Sequence, residues 1–116
     1  MLHFETQEFD SPDLPNSGIN MDNAFLQMLN DARGIAGIPF NITSGYRTKN
    51  RNKLVGGVAN SSHLVGKAAD ISVQSGNERY IILNALIKAG FKRIGVAKTF
   101  LHCDNDETKP NSIWTY

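Results

Sequence analysis

"HLVGKAADISV", residues 63–73, decides how this chain folds. The part from Lys67 onward has β-branched character and reads as a strand. Gly66, just ahead of it, can take the backbone through a sharp turn. His63 and Asp70 lie seven positions apart across that turn. On one α-helix they would be separated by roughly 10 Å along the axis. On one straight strand the separation would be roughly 23 Å. Neither geometry lets both side chains reach one ion at about 2 Å, whereas a turn at Gly66 does. The segment therefore predicts His63 at a loop end and Asp70 on the strand that follows.

Working outward, residues 1–20 are rich in Pro, Asp, Ser, Asn and Gly and read as an irregular lead-in, with Phe4 and Phe9 available to pin it down. Asn20 or Asp22 can cap a helix whose apolar residues, Phe25, Met28, Leu29, Ala32 and Ile35, fall on one face. Gly34 and Gly37 predict that it frays there. "IPFNITSG" (38–45) reads as a strand ending in a turn, and "YRTKNRNKLVGG" (46–57) as a basic loop or short helix. "NERYIILNALIKAGF" (77–91) is a second amphipathic helix ended by Gly90. "RIGVA" (93–97) and "TFLHCD" (99–104) are two strands joined by a short turn, and the tail from Lys109 is short and partly aromatic. The expected fold class is α+β: helices packed on one mostly antiparallel sheet, as a single domain over residues 1–116.

Bulk properties narrow the function classes. The chain has 116 residues, with 41% apolar and 20% charged, the composition of an ordinary globular domain. A net charge of +1 gives no electrostatic case for nucleic acid or an anionic membrane. No apolar run reaches membrane-spanning length and no basic-plus-apolar leader opens the chain, so a soluble protein made without a signal peptide is expected. Cys103 is the only cysteine, which rules out an internal disulfide.

The chemistry gathers around His63 and Asp70. His102, on the last predicted strand, is the third candidate, and two histidines with one carboxylate form a normal catalytic zinc set with a position left open. Each residue also has a plain structural reading: a buried acid for Asp70, a satisfied core histidine for His102, an ordinary residue in a loose terminus for His3. Arg47 follows a strand and a glycine, where a rigid backbone can aim its fork at a carboxylate. Asp104 lies two residues beyond His102 and so shares its face, while Cys103 points the other way and reads as a small buried hydrophobe.

The run "SGYRTKNRNKLVGGVANSSHLVGKAADI" followed by "FLHCD" resembles the peptidase M15 family, subfamily A type. These are zinc D-Ala-D-Ala carboxypeptidases and related peptidoglycan endopeptidases, some of them phage-encoded, which share a fold with the hedgehog signalling domain. The pattern Ser-x-His-x-x-Gly-x-Ala-x-Asp is met by Ser61, His63, Gly66, Ala68 and Asp70. The resemblance implies zinc as cofactor, held by His63, Asp70 and His102. It implies that Arg47 binds a substrate carboxylate, that Ser61 and Tyr46 shape the substrate site, and that Gly56 and Gly57 are the paired glycines ahead of the metal loop. Some relatives carry the catalytic carboxylate three residues before the last histidine; Thr99 occupies that place here. Asp104 is then the candidate base, with Asp106 and Glu107 behind it.

The resemblance thus implies a zinc metallopeptidase that hydrolyses peptidoglycan stem peptides, as a carboxypeptidase or a cross-link endopeptidase. It implies a monomer acting at the bacterial cell wall or periplasm, with release by phage lysis as one route. The alternative is a non-catalytic zinc domain of the same fold that recognises peptides or serves a structural role.

Overall fold

The computed structural model describes residues 2–116. Two 3-10 turns, Thr6–Phe9 and Ser17–Asn20, form the lead-in, with Phe4 and Phe9 buried. Helix α1, Asn23–Ala36, begins where the Asp22 carboxylate accepts the Phe25 N–H at 2.9 Å. It does not fray at Gly34; it ends at Gly37, whose φ of +69° provides the left-handed cap. Phe25, Leu26, Leu29 and Ala32 are buried, but Ile35, expected on the same face, is exposed because the last turn overhangs the core.

Strand β1, Ile42–Ser44, is shorter than the reading over 38–45, since Pro39 has no N–H to give a ladder. Thr48 caps α2, Lys49–Leu54, and a third 3-10 turn spans Ser62–Val65. Then come β2, Ala68–Ser72, α3, Gly76–Lys88, β3, Arg93–Val96, and β4, Phe100–Asp104. The sequence predicts no element over residues 109–116, yet Ser112–Thr115 forms β5.

The sheet runs β1-β2-β4-β3-β5 and is antiparallel except for the β3–β5 pair, so the architecture is α+β as expected. Register places the chemistry: Asp70 faces His102 across β2 and β4, and His102 faces Gly95 across β4 and β3. Alternation then sorts the side chains. Ala69, Ile71, Ile94, Leu101 and Cys103 pack with Phe25 and Leu29 of α1 and Ile82 and Leu86 of α3 in one apolar core. Asp70, His102 and Asp104 point to the opposite face. Cys103 is fully buried, and burial pushes its thiol well above its ordinary pKa, as suits a core hydrophobe. Among the described residues no helix is long and apolar enough to cross a membrane.

Gly66 is the pivot of the turn between His63 and β2. Its φ is +71°, and its carbonyl accepts the Asp22 N–H at 2.9 Å. A Cβ there would come within 2.8 Å of the Met21 Cα and closer still to the Asn20 carbonyl oxygen. Gly66→Ala would add left-handed strain to a backbone clash, so unfolding by denaturant should show a loss of about 2–4 kcal/mol. A loss below 0.5 kcal/mol, the usual scale of a surface change, would mean the turn relaxes freely.

Candidate metal centre

His63 reaches the site from the turn Ser62–Val65. Ser61 caps that turn: its Oγ accepts the His63 N–H at 3.2 Å. The His63 ring donates from Nδ1 to the Gly45 carbonyl at 2.7 Å, which leaves Nε2 free. That nitrogen lies 3.3 Å from Asp70 Oδ1. His102 approaches the same oxygen from β4 through Nδ1, at 3.0 Å, while its Nε2 donates to Asp104 Oδ2 at 2.7 Å. His63, Asp70 and His102 are all buried, and their ligand-type atoms lie within 4.8 Å of one another.

This donor set fits a divalent metal. Each histidine has one nitrogen committed to a protein acceptor and the other aimed at the common centre, which is how outer partners fix the ring and tautomer of a metal ligand. Burial by itself would raise the Asp70 carboxyl, but the hydrogen bonds and charges of His102 and His63 hold it well below the usual carboxylate range. Burial likewise disfavours charge on His102, and the hydrogen bonds to Asp104 and Asp70 override it and raise its pKa. The centre is thus built around a carboxylate that stays ionised.

The structure departs from the sequence expectation at Asp104. Alternation placed it correctly on the face of His102, but it stands behind the ring. Oδ2 is taken by His102, while Oδ1 accepts Arg93 Nε at 2.8 Å and the Asp106 N–H at 3.1 Å. Asp104 is 1% exposed and both its oxygens are engaged as supports. The fallback acids do not replace it. Asp106 is buried, accepting the Ser62 hydroxyl at 2.7 Å and bonded to Thr108, with Lys109 at 3.5 Å. Glu107 is exposed on the loop behind β4.

Two residues that sequence reasoning passed over complete the support. Trp114 of β5 stacks on His102 with ring centroids 5.3 Å apart. It lies across Gly95, where a Cβ would come within 2.7 Å of the indole nitrogen. Arg93 joins the two supports, bonding Asp104 while its guanidinium lies 4.9 Å from the Trp114 ring centroid. The "GV" of "RIGVA" carries no sign of this, since the partner sits in a parallel strand some twenty residues on.

Beside Asp70 a cleft of about 360 Å³ opens between the lead-in, β1 and α2. Tyr46, Arg47, Arg51 and Phe100 line it with Asp70. The Arg47 guanidinium donates to Ser44 Oγ at 3.0 Å, Asn52 Oδ1 at 3.3 Å and Asp70 Oδ2 at 3.4 Å. Three of its five N–H groups are therefore spent within the protein. Burial lowers the Arg47 pKa, the Asp70 charge offsets part of that, and the nearby Arg51 charge adds to the lowering. Gly57, the second of the paired glycines, packs against Asn52, and a Cβ added there would overlap Asn52 Oδ1 and come within 3.1 Å of Arg47 Nη1.

The sequence matches the family model described as Peptidase M15 over residues 3–104, a span that includes both histidines, Asp70, Arg47 and Asp104. No curated protein matches it.

Proposed function

The chain belongs to the peptidase M15 family, and from that premise we propose that it is a zinc-dependent peptidase acting on peptidoglycan stem peptides. The observation that carries the reading is the convergence of His63 Nε2, His102 Nδ1 and the Asp70 carboxylate beside an open cleft. Two imidazole nitrogens and one carboxylate suit zinc and leave a coordination position free. Zinc bound there would supply Lewis acidity and bring the pKa of water toward neutrality.

The chain's own residues then have distinct tasks. Gly45 and Asp104 hold the two imidazoles in the tautomers that present a bare nitrogen. Arg47 bonds Asp70 and holds it in place, and as part of the cleft lining it keeps two N–H groups for a substrate oxygen next to Asp70. Tyr46 and Phe100 form the cleft walls that orient the peptide. Both removal of a terminal D-Ala and opening of a cross-link are compatible with this arrangement, in a monomer.

A second reading rests on one observation: none of Asp104, Asp106 and Glu107 lines the cleft. With no free carboxylate of that group to take a proton, the domain would bind stem peptides without cutting them. Incubating zinc-loaded protein with purified muropeptides and analysing the products by mass spectrometry separates the two. We expect loss of D-Ala or a cut cross-link, abolished by chelation and restored by zinc. Binding without any product supports the second reading, and full activity in protein shown to be metal-free by elemental analysis would sink the first.

A further inference from the structure

The cleft beside Asp70 holds a second arginine that the family resemblance does not single out. Arg51, on α2, lines the cleft with Arg47 and is half-buried. Among the described residues its side chain makes no ion pair. The acid closest in character to a partner, Asp13, is already committed: it accepts the Ser11 hydroxyl through Oδ1 at 2.5 Å and the Thr48 hydroxyl through Oδ2 at 2.6 Å. Arg47 differs in every respect. It is locked to Ser44, Asn52 and Asp70, and its fork is largely used up.

Two guanidinium groups thus line one cleft with three acids: Asp70 pairs with Arg47, while Glu8 and Asp10 accept backbone N–H groups of the lead-in. A half-buried guanidinium in no direct ion pair, with the exposed Asp13 carboxylate as a neighbouring charge and Arg47 as a like charge nearby, gains from an incoming carboxylate, which it can take through two parallel N–H···O bonds. Arg51 still has all five donors for that contact; Arg47 does not. Arg47 bonds Asp70 directly, whereas Arg51 bonds none of the candidate ligands. That division suits a peptide whose reacting carbonyl lies by Arg47 and whose free carboxylate lies by Arg51.

We propose that Arg51 is the specificity residue of the cleft, taking the free carboxylate of the bound peptide. This deepens the peptidase reading and rests on it for the identity of the ligand. It assigns the terminal carboxylate to Arg51 and leaves to Arg47 the oxygen nearest Asp70.

The test uses the full, zinc-loaded chain with N-acetyl-D-Ala-D-Ala and its C-terminal amide, each measured for cleavage and, by calorimetry, for binding. The wild type should prefer the acid over the amide by tenfold or more, and R51Q should reduce that preference to within about twofold, with zinc content and melting temperature unchanged. An acid preference that survives R51Q intact overturns the assignment. So does a wild type that binds acid and amide equally. Should the wild type cleave neither peptide, the carboxypeptidase form of the reading fails, and the muropeptide digest alone decides the endopeptidase form. The binding arm still decides Arg51: an acid preference lost in R51Q upholds it, and equal binding of both peptides refutes it.

Discussion

Asp70→Asn should give a folded chain that no longer retains zinc. The carboxylate is the hub of the centre: Oδ1 meets both histidines and Oδ2 meets Arg47. Its replacement by an amide removes the one negative charge among the three ligands. It also presents an N–H₂ group where an acceptor is needed, unless the side chain flips and turns that group on Arg47 instead. Loss of an outer partner typically lowers metal affinity about 10–100-fold, so loss of a ligand should exceed 100-fold. Peptidase activity should vanish with the metal. The fold should survive because Asp70 points away from the apolar core, although Arg47 left without its partner destabilises the chain by about 3–5 kcal/mol. Competition against a chromogenic chelator measures the affinity, and circular dichroism checks the fold. A folded variant that holds zinc as tightly as the wild type would remove Asp70 from the ligand set.

Asp104→Asn carries the second large effect, and its signature separates two roles. A general base lost from the site would cut turnover by roughly 10²–10⁴-fold with zinc still bound. The structure predicts something else, because both oxygens of Asp104 serve as supports. The amide can still accept from one neighbour, but it places an N–H₂ group against either His102 Nε2 or Arg93 Nε. His102 then loses the partner that fixes its tautomer. Zinc affinity should fall about 10–100-fold, and excess zinc should restore most of the turnover. Zinc titration of the variant's rate is the deciding measurement. A rate that stays low at saturating zinc returns Asp104 to the role of base.

The grouping of His63 with Asp70 was legible because that argument needs only local geometry, whereas His102 entered as a candidate from a separate strand. A glycine turn ahead of a β-branched strand brings His63 and Asp70 together, and Gly66 has the positive φ which that turn demands. Alternation was equally sound for Cys103, found in the core, and for Asp104, found on the face of His102. Period-2 reasoning gives a face, however, and not a direction along it. It could not tell that Asp104 stands behind His102, because that depends on Arg93 reaching over from β3. β5 escaped notice for a similar reason. Ser112–Thr115 is four residues long and mostly exposed, so it shows no alternating apolar pattern, and its pairing with β3 is parallel and remote in sequence. Trp114 has meaning only once that pairing puts it across Gly95.

One loop holds both histidines. Asp104 fixes His102, and two residues later Asp106 grips Ser62, the neighbour of His63, while Lys109 donates to both Ser62 Oγ and the Asn60 carbonyl. These ties are made by protein atoms alone, and the apolar core lies on the other side of the sheet. The fold around the site therefore does not need an ion to assemble it, unlike a small zinc finger, although an ion that binds only the native state would add to its stability. Amide hydrogen exchange in β2 and β4 should then be slow even without added zinc, and slower still with it, in contrast to a chain that unfolds on losing its ion.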